Sequence, residues 1–367
     1  MVREAFAENF ASRGETGGAL CVSVCGRVVV DLWGGVTSGD GGVAWQPSTL
    51  VNVFSVGKGL IAALAARLAG SGRLDVDAPV ARYWPEFGAA GKAAVTVRHV
   101  LSHQAGLPAV RRQLPRGAML DWRLMTSELA AQEPWWPPGT AHGYHVNTFG
   151  FLTGEVFRRA TGRTVGQLLR AEIALPLGAD VFIGLPAAEH GRVAEFCWPA
   201  GTAAEDEPVV PADRLMEHNA YFNPADFSGA GVVNSAAWRS AEIPSANCHG
   251  TARGVARVYA ALASGGVADG VRIVSAGALA DAVTEQVYGP DLVLNRQSRF
   301  GLGFQLTQPE RPMGPNPGAL GHFGAGGSLG FCDPAAGVAF GYVTGEMGPR
   351  WQNPRNRALL DALYACL

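Results

Sequence analysis

Strand-like segments lie at both ends of this chain, and helical ones fill its middle. Residues 19–24 and 28–33 read as two strands, and Cys25-Gly26-Arg27 between them suits a tight hairpin turn. Residues 49–54 are again apolar and β-branched. Strand signals return after Phe300, at 303–307, 320–323, 328–333 and 338–344. Between these ends, segments 56–68, 96–101, 149–161, 165–174 and 250–264 carry helical periodicity, and short helices flank the whole at 3–12 and 356–366. Residues 205–246 show no clear period and read as a long ordered loop. This order predicts an α+β fold in which an antiparallel sheet is assembled from both termini. The expected division is a discontinuous sheet unit, 1–75 with 265–367, and a mainly helical insertion, 76–264, with a site in the cleft between them.

Charge excludes several partner classes. Net charge is −2 in 367 residues, so no basic face for nucleic acid or an anionic membrane is expected. Residues 1–15 alternate charged and apolar side chains, unlike a signal peptide, and no uncharged stretch reaches spanning length. Six cysteines without a Cys-x-x-Cys pair read as buried free thiols in a cytoplasmic protein.

Arginine accounts for nearly all the basic residues. Only Lys58 and Lys92 are lysines among 29. A guanidinium keeps its proton near neutral pH, whereas a buried amine can lose it. Lys58 belongs to Ser55-Val56-Gly57-Lys58 at the start of a predicted helix. Residues i and i+3 share a helix face, so the amine can reach the serine hydroxyl and act as its base. Phe54, Leu60, Ile61 and Ala62 supply an apolar setting. The structural alternative is a helix-capping serine beside a lysine that snorkels to solvent.

Other candidates follow the same logic. Tyr144 follows the rigid loop Trp135-Trp136-Pro137-Pro138-Gly139 and can pass a proton if an amine is near; otherwise it is a packing residue. Leu320-Gly321-His322-Phe323-Gly324 reads as a strand whose glycines admit a ligand close to the backbone, or as part of a Gly-rich hairpin. Gly326-Gly327-Ser328-Leu329-Gly330 fits Gly-x-Ser-x-Gly, but it sits in a hairpin context rather than at the strand–turn–helix elbow that motif requires. His103 is expected to bond backbone near a helix end. The histidines lack metal-ligand spacing, and neither a P-loop nor a dinucleotide fingerprint is present, so no metal or cofactor is expected.

Taken in chain order, Ser-x-x-Lys, a central tyrosine and a His-x-Gly strand resemble the serine β-lactamase and penicillin-binding-protein superfamily. The class C-like branch, and within it the family VIII carboxylesterases, is most similar. Supporting stretches are Ser102-His103-Gln104-Ala105-Gly106-Leu107-Pro108, Pro138-Gly139-Thr140, His249-Gly250-Thr251-Ala252-Arg253 and Gly321-His322-Phe323-Gly324-Ala325-Gly326-Gly327. The resemblance implies that Ser55 is the acylated nucleophile, Lys58 its base and Tyr144 a proton shuttle. It implies an oxyanion hole from the backbone N–H groups of Ser55 and Ala325. His322 would stand where β-lactamases of this branch carry a lysine. Substrate contacts are expected at His322, Phe323, Gly324, Trp136 and Asn147.

Two departures bear on the substrate. Val146 replaces the polar third residue of Tyr-x-Asn, with Asn147 one position late, and His322 replaces a charged lysine. Both weaken recognition of a peptide-like amide and a carboxylate but leave acyl chemistry intact. The expected activity is therefore a carboxylesterase acting on small esters through an acyl-serine. The rivals are acyl transfer from the same intermediate to an alcohol or amine, and a silent binding module.

Overall fold

The computed structural model describes residues 1–39, 41–199, 214–225, 229, 231–349 and 351–367. Among these, eight strands form one antiparallel sheet. They are β1 (Gly17–Val24), β2 (Arg27–Gly35), β3 (Val287–Asp291), β4 (Arg296–Phe300), β5 (Gln305–Leu306), β6 (Leu320–Phe323), β7 (Leu329–Asp333) and β8 (Val338–Thr344). Their order is β2-β1-β8-β7-β6-β5-β4-β3, so the N-terminal hairpin joins the C-terminal strand. Residues 18–24 of β1 pair with β8, from Gly18 opposite Thr344 to Val24 opposite Val338. The α+β expectation is borne out, including a sheet built from both ends of the chain.

Alternation explains both faces of the sheet. In β1, Ala19 and Cys21 join one core, and Leu20 and Val22 the other. The second core is closed by helix α1 (Val2–Ser12) and a C-terminal helix (Pro354–Tyr364), through Val2, Phe6, Leu359, Leu360 and Leu363. The first core receives helices Val56–Gly70 and Ala252–Ala263. Helix Ala252–Ala263 lies directly against β8: a Cβ at Gly341 would sit 2.3 Å from the Ala252 carbonyl oxygen.

Several local expectations change. Of residues 49–54 only Val51–Asn52 is strand, in a small antiparallel sheet with His249–Gly250 and Val181–Phe182. The expected loop at 205–246 lies partly outside the described residues, and its described part holds helices Leu215–Phe222 and Ala236–Ser240. The β3–β4 hairpin was not foreseen, because Val287–Asp291 contains Gly289-Pro290 and Arg296–Phe300 is mostly polar. The thiols are free, but Cys25 and Cys366 are exposed rather than buried. No helix among the described residues is long and apolar enough to cross a membrane.

Candidate active site

Ser55 sits at the N-cap of helix Val56–Gly70, directly after Phe54, whose φ is 48°. That left-handed residue turns the chain sharply into the helix. Two glycines let the first turn pack closely. A Cβ at Gly57 would lie 2.6 Å from the Cys248 Cβ, and one at Gly59 would overlap the Tyr259 hydroxyl. All side chains from Val56 to Ala66 are buried, including Lys58.

Lys58 Nζ lies 2.9 Å from Ser55 Oγ and donates to the Ser245 carbonyl oxygen at 2.9 Å. Ser245 O can only accept, so it fixes one amine N–H. The remaining lone pair of the neutral amine is then free to face the serine hydroxyl. Burial holds the Lys58 pKa well below the usual lysine range. Lys92, by contrast, is structural. Its amine donates to the Ala89 carbonyl at 2.9 Å and to that of Gln132, at the end of helix Trp122–Ala131.

Tyr144 is fully buried, with its ring centroid 4.9 Å from Lys58 Nζ. Its hydroxyl makes no hydrogen bond of full geometry among the described residues, although Ser55 lies near enough to favour its anion. Burial outweighs that and raises its pKa well above the usual value, so Tyr144 is a neutral phenol. Its position depends on a residue that no motif in the sequence marks. Asp291, at the end of β3, accepts the Tyr144 N–H at 3.0 Å, and also the Ser298 hydroxyl and the N–H groups of Val293 and Leu294. Ser298 Oγ in turn lies 2.9 Å from His142 Nε2. The Tyr144 ring stacks on Phe300 of β4 at an interplanar angle of 9°.

His322 projects from β6 on the Lys58 side. Its Nδ1 lies 2.6 Å from the Phe323 carbonyl oxygen, which as an acceptor fixes the proton there. Nε2 is buried, with no partner among the described residues. Burial first, then the repulsion that a protonated Lys58 would exert, lowers its pKa to about 3. His322 is therefore neutral and turns a lone pair, not a cation, towards the site.

The other expected contacts separate. Phe323 follows His322 in the strand and so points to the opposite face, into the core with Leu20, Phe331 and Leu359. Its expected place beside a substrate is corrected by that alternation. Trp136 is buried against His145 and donates to the Ala141 carbonyl, so it shapes the loop before Tyr144. Asn147 donates to the Ala220 carbonyl at 2.8 Å and anchors helix Leu215–Phe222. Val146 packs against the buried cluster of Ala109, Ala220 and Val293. His103 Nδ1 accepts the His145 N–H at 3.1 Å, the backbone role expected of it. Ser328 Oγ is buried and accepts the Thr344 N–H at 3.3 Å, ahead of β7 rather than a helix.

The turn after β6 comes close to the segment that leads into Ser55. A Cβ at Gly324 would sit 2.4 Å from the Val53 carbonyl oxygen. Ala325 opens a one-turn 3-10 helix, so its N–H has no intrahelical acceptor. The turn is held from the C-terminal segment: Asn353 and Arg355 donate to the Gly326 carbonyl, and Asn356 to that of Gly327. Arg355 also faces the buried Glu15 carboxylate at 3.7 Å. No group of His, Cys, Asp or Glu side chains suited to a metal is found among the described residues. A cavity of about 920 Å³ is lined by Trp84, Trp122, Arg123 and Glu155 among others and includes none of Ser55, Lys58 or Tyr144.

The family profile described as Beta-lactamase matches residues 2–364. An esterase/beta-lactamase, LipL of Mycobacterium tuberculosis, is 40% identical over 348 residues, covering 93% of this chain and 80% of LipL. A crystal structure of a family VIII carboxylesterase superposes with a TM-score of 0.92 at 41% identity, covering 100% of this chain and 96% of that one. A penicillin-binding protein homologue from Caulobacter crescentus superposes equally well, with a TM-score of 0.92 at 43% identity over 100% of this chain and 96% of its own.

Proposed function

The chain belongs to the Beta-lactamase family, and from that premise we propose that it is a serine carboxylesterase with Ser55 as nucleophile, Lys58 as base and Tyr144 as proton relay. The observation that carries the reading is the buried Lys58 amine, 2.9 Å from Ser55 Oγ and tethered to the Ser245 carbonyl. In its neutral form this amine takes the hydroxyl proton as Oγ attacks the ester carbonyl. The developing oxyanion meets the N–H groups of Ser55 and Ala325, and the Ser55 N–H also lies at a helix N-terminus. Collapse of the tetrahedral intermediate expels the alcohol. The proton on Lys58 returns to the leaving oxygen through the neutral Tyr144 hydroxyl. Water then releases the acid from the acyl-serine by the same route in reverse.

The substrate class is a small-molecule ester. The neutral His322 supports esters over β-lactams, since a carboxylate next to its lone pair gains no attraction. On this reading, chemistry takes place where the sheet unit, 1–75 with 265–367, meets the helical stretch 76–264. The free thiols support a reducing, cytoplasmic setting.

A fluorophosphonate followed by peptide mass spectrometry tests the assignment. The adduct is expected on the peptide carrying Ser55. An adduct on Ser328, or an unlabelled protein that hydrolyses no ester, would overturn it.

A further inference from the structure

The 920 Å³ cavity lies between the 3-10 turn Pro85–Gly88, helix Trp122–Ala131 and helix Thr148–Thr161, and no group of the proposed catalytic centre is in its wall. Its space arises from one helix face. Arg123, Thr126, Ser127, Ala130 and Ala131 all line it, at i, i+3, i+4, i+7 and i+8. Beyond Arg123 that face carries only small side chains, so the volume in front of it stays open. The buried side chains of Trp84 and Val165 and the ring of Trp122 supply an apolar floor. Trp122 is laid tightly against helix Thr148–Thr161: a Cβ at Gly154 would meet its ring at 2.5 Å, and its indole N–H donates to Glu155 at 2.8 Å. Leu120, 45% exposed, adds an apolar side chain at the rim.

The charges around the cavity are committed to one another, with one exception. Glu155 takes Arg158 at 2.6 Å and Arg159 at 2.8 Å, and Arg159 also reaches Glu86 at 3.3 Å. These two cations and two carboxylates balance. Glu242 accepts the Thr164 hydroxyl at 2.5 Å and the Gly166 N–H at 3.1 Å, and burial raises its carboxyl above the ordinary value, which weakens its negative charge. Arg123 is exposed and makes no hydrogen bond or ion pair with any described residue. Asp121, two residues before it, caps the Leu124 N–H at 2.9 Å instead, and Glu128 is taken by Arg112. The one uncommitted ionic group in the wall is therefore a guanidinium, whose planar fork of N–H donors matches a carboxylate.

We propose that this cavity is a second binding site, separate from the catalytic centre, for an amphipathic carboxylate. The apolar body of the ligand lies against Trp84, Trp122 and Val165, and its carboxylate meets the Arg123 guanidinium. The volume is in the range of small-molecule sites, which pair an apolar lining with a few polar groups that fix orientation. A purely apolar ligand would leave Arg123 without a partner, and a cation would be repelled by it. The ligand class thus follows from the two features that the wall leaves unused, the apolar floor and the one free charge.

Isothermal titration with 1-naphthaleneacetate and 1-naphthaleneacetamide, of the same shape without the charge, tests the proposal. The acid is expected to bind with a Kd below about 1 mM and, at low salt, about fivefold more tightly than the amide, the scale of one exposed charge pair. The preference should shrink in ~0.5 M salt, as screening requires. Arg123→Gln should weaken the acid to the level of the amide and leave the amide unchanged. Leu120→Glu, which sets a like charge at the rim, should weaken the acid more than the amide. Both substitutions are at exposed positions, and thermal melting checks that the fold is kept. Protein phosphonylated at Ser55 should bind the acid as the free protein does. No binding of the acid at ~5 mM overturns the proposal, as does equal affinity for acid and amide or an unchanged Kd in Arg123→Gln. Loss of binding on phosphonylation of Ser55 would put the acid in the catalytic centre and overturn it too. The proposal does not rest on the esterase reading: a protein that hydrolyses no ester yet binds the acid through Arg123 overturns that reading and leaves this one standing.

Discussion

The Asp291 carboxylate grips the backbone of Tyr144, its two oxygens lying 3.0 and 3.2 Å from the Tyr144 nitrogen across 147 residues of sequence. The Tyr144 hydroxyl has no comparable tether, so the phenol is aimed through its backbone and by the stacking of its ring on Phe300. Asp291→Ala should therefore lower kcat by about ten- to a hundredfold, the scale of a sub-ångström to 1 Å misplacement of a reacting group. KM for a short ester should change little. Asp291→Asn keeps an acceptor oxygen and should recover part of the loss. Equal kcat in wild type and Asp291→Ala would show that the tether does not position the phenol.

Lys58→Arg has similar reach but stays protonated and cannot accept a proton. It should reduce kcat on p-nitrophenyl butyrate by at least about a hundredfold, the scale of general-base catalysis. Thermal melting checks that the buried site still folds around the larger group. Near wild-type turnover would make Lys58 an electrostatic or packing group.

Simple esters should be better substrates than β-lactams. His322 presents a lone pair where a carboxylate needs a cation, and Val146 is apolar and packed against Ala109, Ala220 and Val293. We expect kcat/KM for p-nitrophenyl butyrate to exceed that for nitrocefin by two or more orders of magnitude, at roughly 1.4 kcal/mol per tenfold. His322→Lys should narrow that gap. Comparable turnover of nitrocefin by the wild-type enzyme would refute the expectation.

Glu15 makes stability depend on pH. Burial raises its carboxyl from 4.5 to about 7, against the opposing pull of Arg355. A carboxyl with a raised folded-state pKa binds its proton more tightly when folded. Its contribution is present below about pH 4.5 and is lost as pH rises through about 7. At about 1.4 kcal/mol per unit, the loss is on the order of 3 kcal/mol. Urea unfolding at pH 5 and pH 8 should show a larger drop for wild type than for Glu15→Gln. Identical drops would place the Glu15 pKa in the ordinary range.

The Ser55–Lys58 pair was legible because helix geometry is local. Ser55 and Lys58 meet through i, i+3 spacing, and the strands at both ends alternate clearly enough to imply one sheet. The sequence by itself determined which serine and which amine share a helix face, and the sheet that begins at one terminus and ends at the other. The tertiary structure decided the environment of those groups. Ser245 fixes one amine proton of Lys58 from 187 residues away, Asp291 sets Tyr144, and Asn353, Arg355 and Asn356 hold the turn that carries Ala325. The alternation of β6 sent His322 towards Lys58 and Phe323 into the opposite core. None of these contacts has a sequence period, since each joins segments that only packing brings together. Desolvation, which sets the charge of Lys58, Tyr144 and His322, depends on everything that surrounds a side chain and is written in no single segment.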